Sequence, residues 1–244
     1  MTGQSPAMTG QSGSILLAIA MTVVGYLSVL CVTAPNPSPE RTSRHQTDRI
    51  SFFVDATSTL GRWLITSIVT YHALLTVLLP HASAARALLQ VCPLRQNTNP
   101  DLFTWNTLSV IALLFICIGA YVRLSAYGGL GKYFTFHLAA PEQLVTTGVY
   151  GWIQHPSYTG LVLIAIGLLA LFVRWDATPA CWISEAALLP LHGWGLAALT
   201  GFMGLGSLLI ATRVVDEENM LKRQFGHKWE HWHRSTKRFI PGIF

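Results

Sequence analysis

Five long apolar segments constrain the fold of this 244-residue chain more than any other feature. They cover residues 14–32, 63–79, 103–122, 158–173 and about 188–211. A transmembrane helix needs about 20 predominantly apolar residues, and each segment is close to that length, the fourth being the shortest. Only helices and closed barrels can span lipid, and these uninterrupted runs lack the alternation of barrel strands. The segments therefore predict an all-α fold, a polytopic transmembrane helical bundle of about five spans.

Composition supports an integral membrane protein and excludes several soluble classes. Hydrophobic residues make up 51% of the chain and charged residues only 11%, whereas an average soluble domain carries about 25% charge. The length leaves no room for a separate soluble catalytic domain. No Gly-x-Gly-x-x-Gly follows a strand pattern and no P-loop sequence occurs, so neither phosphate-binding fold is indicated.

Three smaller features belong to the same interpretation. The first apolar segment has no basic residues before it, which favours a retained helix over a signal peptide. Residues 81–91 are too short to span and predict a re-entrant or interfacial helix. The four cysteines, which form no Cys-x-x-Cys pair, are predicted to be buried free thiols; they are Cys31, Cys92, Cys117 and Cys181.

The distribution of Lys and Arg predicts the topology. If the N-terminus faces the lumen, thirteen of the sixteen Lys and Arg residues lie on the cytosolic side. Only Arg86, Arg95 and Arg174 remain on the lumenal side. This orientation places the polar sequences before the fourth apolar segment and after the fifth on the same cytosolic face.

The first of these polar sequences runs from Gly148 to Gly160 and contains His155-Pro156-Ser157-Tyr158. Pro156 suits the first position of a helix, since proline fixes its own φ and disfavours a helical residue before it. His155 then precedes a helix N-terminus, where free N–H groups attract anions. The alternative is an interfacial His and Tyr that only anchor the helix end.

The second polar sequence, Arg213 to Leu221, follows the last apolar segment directly. On a continuing helix Arg213 can pair with Glu217 at i,i+4. An ordinary charged helix end is the alternative. The tail beyond it carries Trp229 and Trp232 among several histidines; because it has no His-Glu-x-x-His and no nearby Cys or Asp, no metal is predicted.

Taken together, these sequences resemble the isoprenylcysteine carboxyl methyltransferase family over about residues 120–243. The shared elements are Gly-Val-Tyr, His-Pro-x-Tyr-x-Gly, Arg-x-x-x-Glu-Glu-x-x-Leu, Phe-Gly and a later Pro, in the same order around a helical hairpin. The chain departs from the family at Gln154, where the family has Arg, and at Trp229 and Trp232, where it has Tyr. The hairpin loop 175–193 is also longer.

The resemblance implies that S-adenosylmethionine methylates the C-terminal carboxylate of a prenylated cysteine at the cytosolic membrane face. It also implies an endoplasmic reticulum membrane, contact with membrane lipid, no nucleic acid, and a cytosolic C-terminal catalytic helical region. The N-terminal transmembrane part is expected at 1–100 and the methyltransferase core at 101–244. The implied catalytic residues are Arg213 and Glu218. The implied cofactor-binding residues are Gln154, His155, Pro156, Tyr158, Glu217, Trp229 and Trp232.

Three other functions remain open at this stage. A related membrane methyltransferase acting on a phospholipid amine or another lipophilic acid would share the same motifs. A nicotinamide-dependent membrane reductase with a similar helical core is a more distant alternative. A lipid-binding or scaffold membrane protein without catalytic activity is the non-enzymatic one.

Overall fold

The computed structural model describes residues 11–38, 40, 51–80 and 85–243. Within these residues all regular secondary structure is helical, which confirms the all-α class, and one isolated parallel bridge joins Ile153 to Lys237. Short 3-10 turns lie between several of the helices. The α-helices are α1 Gln11–Cys31, α2 Ser51–Leu78, α3 Ala85–Val91, α4 Thr107–Leu130, α5 Pro156–Leu171, α6 Glu185–Phe225 and α7 His227–Ser235.

Among the described residues, three helical stretches are long and apolar enough to cross a membrane: Ser12–Cys31, Thr107–Tyr133 and Ala197–Phe225. These three are candidate spans by length and composition, and the prediction of about five spans stays a prediction. With 16 residues, α5 is about 24 Å long, less than the roughly 30 Å of a hydrocarbon core. Helix α2 carries polar residues such as Arg62 and His72, which lower its hydropathy.

The predicted interfacial helix over 81–91 corresponds to the seven-residue helix α3, and residues 81–84 lie outside the described part of the chain. The arginines Arg41, Arg44 and Arg49, which contributed to the topology prediction, also lie outside it.

The chain divides into two compact units. The first comprises residues up to 28, 63–117 and 165–199, and its buried core includes Leu17, Leu75 and Phe172. The second comprises residues 29–62, 118–164 and 200–244.

The prediction of four free thiols is wrong for Cys92 and Cys181, which form a disulfide within the first unit. These residues are 89 positions apart, and the backbone N–H of Leu94 also donates to the carbonyl of Cys181 at 3.1 Å. Scattered cysteines with no spacing motif carry no sequence signal for such a pairing. Cys31 is a buried free thiol as expected, whereas Cys117 is free but exposed.

In the second unit, α4 and α5 approach closely where two glycines face each other. A Cβ atom on Gly160 would lie 2.5 Å from the carbonyl oxygen of Gly119, and one on Gly119 would lie 2.7 Å from the carbonyl oxygen of Gly160. Small residues at a helix interface in this way allow two backbones to approach. The Gly119–Gly160 contact holds the first turn of α5, which carries Tyr158, against α4.

Candidate functional site

The polar motif before the fourth apolar segment begins α5 as the sequence predicts. Pro156 is the first residue of α5. Two backbone hydrogen bonds join the residues before it to the C-terminal segment: the N–H of Gln154 donates to the carbonyl of Lys237 at 2.8 Å, and that of His155 donates to the carbonyl of Arg238 at 2.9 Å. The tail therefore lies directly against the His-Pro motif.

Four of the predicted site residues come together in the second unit, although two lie on α5 or just before it and two on α6. The Nε2 atom of His155 lies 3.3 Å from Oε1 of Glu218, and its Nδ1 atom lies 3.8 Å from Oε2 of Glu217. The hydroxyl of Tyr158 donates to Oε2 of Glu217 at 3.3 Å. The His-Pro-x-Tyr and Glu-Glu sequences thus form one polar cluster.

Arg238 completes this cluster, and the sequence interpretation missed its role. Its Nε atom donates to Oε1 of Glu218 at 2.7 Å and its Nη2 atom to Oε2 at 2.8 Å. This bidentate pair raises the pKa of the Arg238 guanidinium. The only signal in the sequence was a basic residue in the tail, which had been used solely for topology.

Two further arginines border the cluster. Arg213, one helical turn before Glu217 on α6, is buried and donates to the carbonyl of Phe136 at 2.5 Å. Arg123 is also buried and donates to the carbonyl of Cys31 at 2.6 Å and to Oγ of Ser157 at 2.7 Å. The sequence interpretation used Arg123 only for topology; in the structure it anchors the Ser of the His-Pro-Ser-Tyr motif.

Gln154 lies in a buried hydrogen-bond network with α7. Its Nε2 donates to the backbone carbonyls of His233 and Thr236, and its Oε1 lies 2.8 Å from Nδ1 of His233. Because carbonyl oxygens only accept, the amide orientation is determined, and Nδ1–H of His233 must be the donor to Oε1. Burial lowers the pKa of His233. The Gln154 side chain thus binds α7 to the start of the His-Pro motif.

Trp229 and Trp232 pack in the core of the second unit with Tyr150 and Ala126. The indole N–H of Trp232 donates to the carbonyl of Tyr150 at 3.0 Å. The ring of Trp229 stacks on His233 with centroids 4.4 Å apart, and its indole N–H is buried without a hydrogen-bond partner among the described residues. Both tryptophans therefore help to hold α7 in place.

A cleft of about 840 Å³ opens beside this core. Its walls combine apolar side chains, such as Leu144, Phe225 and Trp232, with polar ones, such as Thr146 and Ser235. This volume lies within the roughly 300–1,000 Å³ range of small-molecule sites. Thr236, whose carbonyl accepts from Gln154, also lines the cleft, so the cleft adjoins the network that supports the His-Pro motif.

Comparison with known proteins confirms the resemblance to the isoprenylcysteine carboxyl methyltransferase (ICMT) family. The family model matches residues 110–192. The chain is also similar to curated proteins named protein-S-isoprenylcysteine O-methyltransferase. The Schizosaccharomyces pombe protein is 28% identical over 146 residues, 58% of this chain and 52% of the relative. The Xenopus laevis protein is 30% identical over 149 residues, 59% of this chain and 44% of the relative.

These similarities are partial. The chain spans about half the length of the curated relatives it matches. The match to the family model includes His155, Pro156 and Tyr158 and ends before the Arg213 to Leu221 sequence. No solved structure matches the chain.

Proposed function

We propose that the protein is a membrane methyltransferase that uses S-adenosylmethionine to esterify the C-terminal carboxylate of a prenylated cysteine. The observation that carries the proposal is the convergence of His155 and Tyr158 with Glu217 and Glu218, whose sequence positions are about sixty residues apart. The motifs that carry the family resemblance therefore form one polar cluster, and the relatives' names supply the reaction.

The residues of the cleft and the cluster fit the cofactor by their chemistry. An adenosine needs apolar walls with a few polar groups, which the cleft offers. The positively charged amino group of the cofactor needs a carboxylate. Of Glu217 and Glu218, Glu217 is the more exposed, with a side chain 25% exposed against 11% for Glu218. When bound, S-adenosylmethionine supplies an electrophilic methyl group.

We assign the proposed cofactor residues two kinds of role. Glu217, Tyr158 and His155 bind the cofactor's polar groups, and Pro156 sets the helix start that presents them. Gln154, Trp229 and Trp232 act indirectly, by holding α7 beside the cleft.

The substrate carboxylate requires orientation rather than deprotonation, because it is ionised at neutral pH. We propose that Arg213 holds it, since a guanidinium fork matches a carboxylate. One N–H group of Arg213 is committed to the carbonyl of Phe136, which restrains the guanidinium before substrate arrives. Exclusion of water from the carboxylate then increases its reactivity.

The setting we propose is the endoplasmic reticulum membrane, with the cluster facing the cytosol and residues 101–244 as the methyltransferase core. An apolar prenyl chain arrives from the lipid, and a polar cofactor arrives from the cytosol. The excess of Lys and Arg on the predicted cytosolic side supports this orientation and favours contact with anionic lipid.

The test is methyl transfer from labelled S-adenosylmethionine to N-acetyl-S-farnesylcysteine by the purified protein in detergent. We expect label in a base-labile ester, and a rate about a hundredfold lower for Arg213→Met, as for loss of one electrostatic contact. The Lys237→Met variant, which changes an exposed side chain, is the control. Label in phosphatidylethanolamine but not in the ester would support the lipid-amine alternative. Normal turnover by a folded Arg213→Met variant would refute the role of Arg213.

A further inference from the structure

The C-terminal strap, defined here as residues 236–239, lies across the His-Pro motif at three points. Two are the backbone bonds from Gln154 and His155 to the carbonyls of residues 237 and 238. The third is the hydroxyl of Thr159, which donates to the carbonyl of Phe239 at 3.0 Å. These bonds determine where the side chain of Arg238 lies relative to the cluster.

The side chain of Arg238 then occupies most of the hydrogen-bonding capacity of one carboxylate. A carboxylate offers about four lone-pair sites. Arg238 fills two sites on Glu218, and Nε2 of His155, 3.3 Å from Oε1, fills a third. One site remains for a ligand, and the orientation of Glu218 is restrained by partners on both sides.

The neighbouring carboxylate, that of Glu217, has fewer hydrogen-bond partners. Glu217 accepts from the hydroxyl of Tyr158 at 3.3 Å, and Nδ1 of His155 lies 3.8 Å away, beyond hydrogen-bond distance. No guanidinium pairs with Glu217 in the part of the chain that the structure describes. The two adjacent carboxylates thus differ in their charge pairing: Arg238 pairs with Glu218 and not with Glu217.

We propose that Arg238 is a positioning residue of the methyl-transfer site, acting through Glu218; this inference rests on the proposed function. Arg238 holds the Glu218 carboxylate and, through it, the imidazole of His155. It thereby leaves Glu217 as the carboxylate with capacity for a cationic ligand. The C-terminal strap therefore contributes to the site through the side chain of Arg238.

A purely structural role for the strap predicts different behaviour, and Lys237 makes the two roles separable. Lys237 is the adjacent strap residue, carries the same charge and has an exposed side chain. Its contact to the motif uses the backbone carbonyl, which survives a side-chain substitution. Lys237→Met therefore matches Arg238→Met in position and in lost charge while leaving Glu218 paired.

The experiment compares kcat, KM for S-adenosylmethionine and the thermal midpoint for the wild type, Lys237→Met, Arg238→Met and Arg238→Lys. We expect Arg238→Met to lower kcat by about ten- to a hundredfold, on the scale of a misplaced site group. Arg238→Lys keeps the positive charge without the guanidinium fork, and its kcat is expected to lie between those of Arg238→Met and the wild type. Lys237→Met is expected to stay within about twofold of wild type, as for a surface substitution.

A double-mutant cycle with Glu218→Gln tests whether Arg238 acts through Glu218. In the Glu218→Gln background the Arg238→Met change is expected to have little further effect on kcat, because the two side chains act as one unit. Additive losses in kcat that follow the loss in thermal midpoint would overturn the inference. A wild-type protein inactive on every acceptor would instead refute the proposed function itself.

Discussion

Replacement of Gln154 by leucine tests the hydrogen-bond network that binds α7 to the His-Pro motif. Leucine has a similar volume but removes the amide. Three hydrogen bonds are lost: two to the carbonyls of His233 and Thr236, and one from Nδ1 of His233. The Gln154 side chain is almost fully buried, so water cannot fully replace the lost hydrogen bonds.

The expected cost follows from these contacts. Each net hydrogen bond contributes about 0.5–1.5 kcal/mol, and a buried donor left unpaired costs about 1–3 kcal/mol. His233 is only partly buried, so its N–H recovers some solvation. A cost of about 3 kcal/mol for α7 docking is therefore expected, and each 1.4 kcal/mol corresponds to about a tenfold change in an equilibrium.

Hydrogen exchange of the α7 amides measures this cost directly, because local opening controls their exchange. In Gln154→Leu the α7 amides are expected to exchange about a hundredfold faster than in the wild type. Gln224→Leu is the matched control, since Gln224 is an exposed glutamine on α6. Unchanged exchange in Gln154→Leu would refute the reasoning, because it would mean that the three bonds do not hold α7.

Three further predictions concern stability. Gly160→Ala places a Cβ atom 2.5 Å from a facing carbonyl oxygen, and we expect a loss of about 1–3 kcal/mol in unfolding free energy; Gly128→Ala, which meets nothing within 4 Å, should lose none. Burial raises the pKa of Asp176, but Arg174 and Asn99 more than offset it, so the pKa lies below its ordinary value. This carboxylate stabilises the fold above about pH 4, and in a pH titration the contribution should disappear as pH falls through the folded pKa; an Asp176→Asn variant with the same acid dependence as wild type would contradict this. Cys92→Ser with Cys181→Ser should lower the unfolding free energy by about 2–4 kcal/mol, and an unchanged denaturation midpoint would show that the bridge contributes nothing.

Local sequence patterns were sufficient to predict the long helices, whereas α7 was not predicted. Apolar runs located all five long helices, and Pro156 marked the first residue of α5. Their extents were harder to predict: α6 continues through the charged sequence to Phe225 instead of ending with the apolar run. Helical residues with high propensity, such as Glu217 and Glu218, extend a helix beyond its apolar stretch, and hydropathy alone does not register this.

The grouping of candidate site residues was predictable only in outline. The family resemblance identified four candidate site residues whose side chains form one cluster in the structure: His155, Tyr158, Glu217 and Glu218. The resemblance also suggested a cofactor contact for Gln154, whereas its amide groups are occupied by α7. A buried network of this kind leaves no periodic signal, because its members are about 80 residues apart in the chain.

The sequence by itself determined the helical class, the positions of the long helices and the residue types available for the site, because apolar length, proline and charge act locally along the chain. Tertiary structure decided which partners those residues have. It paired Cys92 with Cys181 and brought Arg238 to Glu218 rather than to Glu217. These choices depend on which side chains packing brings within hydrogen-bonding distance, and adjacent carboxylates with the same chemistry cannot be told apart until that packing is known.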